Sequence, residues 1–458
     1  MTDNRKKVFK KSRTGIKKDI DVIVALIVFA AAIIASITFD FSLVIPMAIG
    51  YVCFTCAGIY RGRKLKELIK ISGEGFREAL IVVSVILMIG LVTGTWRSSG
   101  LIALFVDFGI SMITPKAFIL LAFALCCIFS YAMGTSFGVV GTLGVILMSL
   151  ARAGDVNTAV VAGAVLSGAY FGDRFSPVSS SMLLTAAVTG TKPEENLPLM
   201  AKTMIIPVAL SAGVYMFFSM SNPISHVDSD IVQAIKTTFD MNWIVAIPAL
   251  ILIVLPLVRV KVKWAVLASA AAAFLVTVFI QQTSVADAIK YAVFGYSAAG
   301  EMGRIFSGGG MFSMLEVSGI ILISCSYSSI IEETKMFQGI QTLLSNGCRK
   351  TGRVFMTFIS GLAFSAIFCN QSVATIMCAV MLDQPYKDTG GDNTELAIDI
   401  ENTTIVTTGW IPWSIFMAVP LSMLDAPVVS ALYAVFIFLM PICHMLTKKW
   451  MWPRIHVR

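Results

Sequence analysis

Two polar interruptions of apolar runs, Phe129-Ser130-Tyr131-Ala132-Met133-Gly134-Thr135-Ser136 and Phe364-Ser365-Ala366-Ile367-Phe368-Cys369-Asn370-Gln371, stand 235 residues apart in the numbering. Pro177-Val178-Ser179 and Pro412-Trp413-Ser414 are related by the same offset, which also lays Ser72-Gly73 on Ser307-Gly308, Gly75 on Gly310, Ile86 on Ile321 and Phe123 on Phe358 without a gap. Such a period marks a duplicated structure. Polar, helix-breaking positions that recur in both halves of an apolar chain are the sequence trace of a secondary transporter, with its substrate site between the halves near the bilayer midplane.

The apolar runs make this a membrane problem. Residues are 57% hydrophobic and 14% charged, with a mean hydropathy of +0.83, a balance foreign to a soluble domain. Val22 to Phe39, Ser42 to Tyr60 and Ala79 to Trp96 each approach the ~20 apolar residues that cross ~30 Å of hydrocarbon. Further candidates run from Ala117 to Met133, Met200 to Met220, Asn242 to Leu257, Trp264 to Ile280, Met311 to Ile331, Val354 to Leu382, Trp410 to Leu424 and Val428 to Leu446. The expectation is an all-α polytopic membrane protein of about 10–13 membrane elements, in two inverted repeats with broken helices or re-entrant hairpins. Its expected organisation is a basic tail over 1–20, a first repeat over 21–220, connecting spans over 221–285, a second repeat over 286–446 and a basic tail over 447–458.

The net charge of +8 does not point to nucleic acid, because the basic residues lie in short segments between apolar spans, where positive-inside bias explains them. Arg61, Arg63, Lys64, Lys66, Lys70 and Arg77 crowd the loop after the second span, whereas Gly295 to Ser313 carries only Arg304. The excess swaps sides later, at Arg349-Lys350 with Arg353 against Lys116 in the first half. That alternation fits repeats of opposite orientation, with both basic termini in the cytoplasm of a cell-membrane protein. Arg5-Lys6-Lys7 through Lys17-Lys18 precedes a first span that runs on into a second, so no removable signal peptide is read. Most of the nine cysteines fall within apolar runs, and histidine is confined to His226, His444 and His456, so neither a disulfide framework nor a bound metal cofactor is expected.

The chemistry lies where the apolar pattern breaks. Gly134-Thr135-Ser136-Phe137-Gly138 and Cys369-Asn370-Gln371-Ser372 read as unwound backbone, tolerated at membrane depth when its freed groups line a cavity or hold an ion. The second pair of breaks runs through Gly172-Asp173-Arg174-Phe175-Ser176-Pro177 to Ser179-Ser180-Ser181, and from Glu401-Asn402-Thr403-Thr404 to Pro412-Trp413-Ser414. Asp173 is an intramembrane carboxylate, costly at ~2.5–3.5 kcal/mol on insertion scales and therefore a functional candidate. Hard oxygen ligands suit an alkali cation, and a buried carboxylate can exchange that cation for a proton.

At these motifs the chain resembles the NhaC-type sodium/proton antiporters, a family that includes sodium- and proton-coupled malate/lactate exchangers. The resemblance rests on Gly134 to Thr142, Gly168 to Pro177, Asn370-Gln371, and Glu401-Asn402 through Trp413, spread in order over most of the chain. It implies a carrier driven by ion gradients, with sodium and protons as coupling ions, no cofactor, and a homodimer by analogy with the wider superfamily. Two departures stand out. Where the family pattern commonly carries acids, this chain has Ser180 and Asn402. Both substitutions keep oxygen ligands and remove a proton carrier.

The candidate ligands are therefore Asp173, which would hold sodium, and Glu401, supported by Thr135, Ser136, Asn370, Gln371, Ser176, Ser180, Asn402 and Thr403, with Glu316 and Arg174 in reserve. Sodium/proton antiport is the first functional expectation. The alternative is sodium-coupled transport of a small organic anion or an amino acid, with half-helix N-termini facing its carboxylate. No nucleotide-binding loop is present to couple ATP, and no filter-like repeat suggests a channel.

Overall fold

The structure is a computed structural model that describes residues 20–39, 41–112, 115–223, 229–258, 260, 262–298, 300–337 and 341–455. The basic stretch 1–19, the end 456–458 and His226 lie outside the described residues. The described chain is helical, and its single β-bridge joins Tyr296 to Gly308. In order the helices are α1 (Ile20–Thr38), α2 (Val44–Tyr60), α3 (Leu65–Ser98), α4 (Leu101–Met112), α5 (Phe118–Met133), α6 (Ser136–Ala153), α7 (Thr158–Phe175), α8 (Ser180–Thr189) and α9 (Pro193–Ser221). After them come α10 (Ser229–Thr238), α11 (Ile247–Leu257), α12 (Val262–Phe279), α13 (Val285–Phe294), α14 (Gly300–Phe306), α15 (Leu315–Glu333) and α16 (Gln341–Thr351). The chain ends with α17 (Arg353–Phe368), α18 (Gln371–Asp388), α19 (Asn393–Asn402), α20 (Thr404–Thr407), α21 (Ile415–Leu424) and α22 (Val435–Ile455).

Among the described residues five helical segments are long and apolar enough to span a bilayer, and Asn393–Trp410 with Ile415–Leu424 forms a sixth if its 53° bend is counted as one broken span. Six shorter apolar helices accompany them. The expected span from Trp410 to Leu424 is thus the short second limb of a bent pair. Ile411-Pro412 ends the first limb because proline lacks the N–H that would continue the ladder. α1 and α9 leave large apolar side chains outside, including Ile27, Ile34, Ile205 and Phe217. On helices this apolar, such faces are lipid-facing, and the protein is a multi-pass membrane protein.

The duplication is visible in the element boundaries. α5 and α17, α8 and α21, and the stretches Thr158–Phe175 and Asn393–Trp410 begin and end at residues 235 apart. The breaks correspond in backbone conformation. Gly134 and Cys369 both adopt the left-handed conformation, each donating its N–H to the carbonyl four residues back, Ser130 at 2.8 Å and Ser365 at 3.0 Å. Thr135 and Asn370 follow as extended N-caps. Ser179 and Ser414 likewise cap α8 and α21 through their hydroxyls.

Close helix contact explains most of the buried glycines. α5 lies against α7 so tightly that a Cβ on Gly172 would collide with the backbone of Ser130 and Tyr131. α3, roughly 50 Å long at 1.5 Å per residue, packs on α15 and α12. The Gly308-Gly309-Gly310 turn, at φ of 119°, 73° and 87°, passes directly beside it, and Gly310 donates to the Gly90 carbonyl at 2.9 Å. Gly172→Ala should therefore lower the unfolding midpoint in detergent. Gly213→Ala, whose new methyl meets nothing within 4 Å, should leave it unchanged or raise it by the ~1 kcal/mol of added helix propensity.

Candidate ion site and its buried polar network

Each half contributes two helix breaks, and the breaks seat against one another. Within the first half, Ser176 donates its hydroxyl to the Tyr131 carbonyl at 2.6 Å, beside the Gly134 turn. Within the second, Ile415 N–H donates to the Cys369 carbonyl at 2.9 Å. The resulting half-helices then cross between halves: α8 of the first packs on α18 of the second, and α21 of the second packs on α6 of the first. Phe137 and Phe416 stack with ring centroids 4.9 Å apart at one crossing. At the other, Ser181 donates to the Gln371 side-chain carbonyl at 3.2 Å.

Gln371 is the hinge of the site. Its amide nitrogen reaches the Asp173 carboxylate at 3.1 Å and the Ile405 carbonyl at 3.0 Å, tying α18, α7 and α20 together. Asp173 and Glu401 are 3% and 1% exposed. Both carboxylate oxygens of Glu401 are buried with no donor at hydrogen-bond geometry: the neighbouring Thr185 hydroxyl donates to the Ser181 carbonyl at 3.0 Å, and Arg174 and Asp173 stand within electrostatic reach. Thr185 and Thr375 lie one helical turn beyond Ser181 and Gln371, on the same faces of α8 and α18. The Thr375 hydroxyl is also buried and unpartnered. Two carboxylates and several hydroxyls in one dry crossing form an oxygen-rich donor set of the kind a small hard cation takes.

The other expected site residues divide by what they touch. Thr135 and Asn370 cap their half-helices, Asn370 accepting from the N–H groups of Ser372 at 2.9 Å and Val373 at 3.4 Å. Ser136 is buried with a free hydroxyl. Ser176 and Thr403 bind backbone carbonyls, of Tyr131 and Asp399. Ser180 is exposed, and its neighbours Ser179 and Ser181 point inward instead. Glu316 is exposed at the start of α15, accepting from Ser42 at 2.6 Å, well away from this cluster in its contacts. Arg174 is fully buried and does not ion-pair with Asp173: Nε and Nη2 both donate to the Asn402 side-chain carbonyl, Nε at 3.0 Å. Asn402 thereby presents its oxygen to a cation it cannot share.

Beyond Asn402 lies a network that the sequence reading did not anticipate. Asn402 Nδ2 meets His444 Nδ1 at 3.0 Å, and His444 Nε2 meets Asp399 at 2.7 Å. Asp399 also binds Lys448 and, at 2.6 Å, the Tyr386 hydroxyl. Lys448 reaches Glu395 at 2.7 Å, and Glu395 accepts from Arg353 at 3.0 Å. Lys448, Glu395 and Arg353 line a cavity of about 800 Å³ with Arg349, Asp388 and Lys449. The signal was present as spacing: Glu395 and Asp399 are four apart on α19, with Asn402 three further, and His444 and Lys448 are four apart on α22. Two separate helices offering complementary charge at one helical period is a pairing pattern.

The chain belongs to the Na+/H+ antiporter family, whose sequence profile matches residues 14–220 and again 168–447. It is 26% identical over 410 residues, 87% of this chain and 88% of the relative, to the malate-2H(+)/Na(+)-lactate antiporter of Bacillus subtilis. It is 24% identical to the Na(+)/H(+) antiporter NhaC of the same organism, over 92% of this chain and 96% of that one. A third relative, an uncharacterized Na(+)/H(+) antiporter of Haemophilus influenzae, shares 26% identity over 76% of this chain and 77% of its own. The protein is thus a transporter of the antiporter class and not an enzyme, of the NhaC type that its breaks resemble.

Removing Lys448 tests the energetic weight of the network, since Asp399 is 0% exposed and would lose its full countercharge. Lys448→Met should destabilise the protein by on the order of 3 kcal/mol, read as a lower unfolding midpoint in detergent, because breaking a buried pair strands the remaining charge. An unchanged midpoint would show that water reaches Asp399.

Proposed function

We propose that this protein exchanges sodium ions for protons across the cell membrane, through a site at the crossing of its broken helices that faces the two sides alternately. The observation that carries this reading is Glu401, whose two carboxylate oxygens lie buried and unpartnered beside the buried Asp173. A bare carboxylate is costly at such a depth unless it holds a proton or a cation, and alternation between the two is antiport. Asp173 and Glu401 supply the charge; Ser181, Thr185 and Thr375 supply neutral oxygens; Gln371 orients Asp173. Asn402 stays outside the ligand set because Arg174 occupies its oxygen. Asp173 and Glu401 suffice as proton carriers, so Ser180 and Asn402 in place of family acids do not remove coupling. The two repeats are read as oppositely oriented, with both chain ends cytoplasmic and homodimerisation expected from the superfamily. Relatives named as Na(+)/H(+) antiporters support the choice of ions.

A second reading has its own observation. Arg174 Nη1 is buried without a partner, a free guanidinium donor of the kind that binds a substrate carboxylate, and a relative is named for malate and lactate. In that reading an organic anion or amino acid would occupy the crossing with sodium.

Purified protein in liposomes loaded with a pH-sensitive dye decides between them. An imposed sodium gradient should drive proton flux in the wild type, and Asp173→Asn should abolish it. If sodium drives none, and malate or lactate then accelerates sodium uptake, the second reading replaces the first.

A further inference from the structure

The donor and acceptor roles around Asn402 are fixed by chemistry. An arginine guanidinium can only donate, so the Asn402 atom that accepts from Arg174 Nε at 3.0 Å is its oxygen. The amide nitrogen therefore faces His444 Nδ1, 3.0 Å away, and donates to it. That makes Nδ1 an acceptor and His444 a neutral imidazole, with its proton on Nε2 directed at Asp399, 2.7 Å away. Every member of this line is 1% exposed or less.

From this geometry we propose that His444 and Asn402 form a proton-operated switch that holds Arg174 away from Glu401 when His444 is neutral and releases it when His444 is protonated. The proposal rests on the sodium/proton reading above. One proton taken from the side of the cavity lined by Lys448 and Glu395 adds to Nδ1, giving an imidazolium whose two N–H groups both donate. Nδ1–H then needs an acceptor where it now has a donor. Rotation of the Asn402 amide by a half turn supplies one, its oxygen turning to His444, and the NH2 group now opposes the Arg174 donors. Arg174 loses the acceptor shared by Nε and Nη2 and keeps only the Thr203 hydroxyl, 3.2 Å from Nη2. Glu401 lies within electrostatic reach and has two oxygens with no hydrogen-bond partner. Pairing with Arg174 neutralises Glu401 and removes it from the cation.

The charged and titratable groups facing His444 come from each packed element: Asp399 and Glu395 on α19, Arg174 on α7, Tyr386 on α18, Arg353 on α17, and Lys448 one turn along α22. α9 contributes the Thr203 hydroxyl, 3.4 Å from the Asn402 oxygen. His444 touches neither Asp173 nor Glu401 in this arrangement, so its proton acts on the site through Arg174 alone. His444 and Asn402 are positioning residues.

Sodium binding to the purified full chain, followed with radiolabelled sodium from pH 6 to pH 9, tests the switch. Protonation of His444 adds one linked proton to those that compete at the carboxylates. Replacing it by His444→Asn, which keeps an acceptor and cannot charge, should leave alkaline binding intact and flatten log Kd against pH by up to about one unit per pH unit. Asn402→Leu removes the switch by another route, since it leaves no amide to relay the charge of His444 to Arg174 and adds no titratable group, and should flatten the same plot. It carries the measurement if His444→Asn does not fold. A wild-type slope in either folded variant overturns the switch. Asp173→Asn run in parallel reports on the site itself: loss of sodium binding there at every pH keeps the antiport reading standing, whereas retained binding overturns that reading and the switch with it.

Discussion

A helix that stops inside a bilayer leaves N–H and C=O groups that lipid cannot satisfy, and the rest of this structure follows from how they are satisfied. Each half of the chain stops twice. The stops are placed so that one break's side chain or N–H meets the other break's carbonyl, as with Ser176 on Tyr131 and Ile415 on Cys369. What remains at each restart is a row of helix N-termini with serine, threonine or asparagine caps. Polar backbone is thus gathered where the helices that carry it cross.

On that symmetric backbone the charges are not symmetric. The offset that relates the halves carries Asp173 onto Thr408, and Glu401 and Asn402 back onto Leu166 and Ser167. The first half therefore brings Asp173 and Arg174 on the last turn of α7, and the second brings Glu401 and Asn402 on the last turn of α19. They meet because the crossing places those turns side by side. Desolvation makes such an arrangement expensive for an isolated charge, and here each charge except Glu401 is engaged by a neighbour.

The buried network beyond Asn402 gives the crossing a route outward. Asp399, His444 and Lys448 connect it to a basin lined by Arg353 and Glu395, so the polar core runs from the centre of the second half to the cavity at the ends of α17, α18 and α22. The single buried histidine among the described residues sits midway along it. Its tautomer is set by Arg174 two residues away in space, because a guanidinium admits only one orientation of the amide between them.

Sequence alone determined the membrane character, the duplication and the four breaks, because apolar runs, a fixed offset and the stop signals of glycine and proline are local properties of the chain. It also singled out Asp173, Glu401 and Gln371, since an ionisable or amide side chain inside an apolar run is visible without any fold. It could not separate those that face the crossing from those that cap a helix or face outward: Asn370 is one residue from Gln371, and Ser180 lies between two inward serines. Glu395 and Asp399, just before Glu401, carry no mark in the sequence that separates them from solvated acids, yet both are buried. Their partners His444 and Lys448 lie some 45 residues further on, on another helix. Which side chains pair across such distances depends on helix rotation and on how the halves interlock, and those are decided only when the tertiary structure packs.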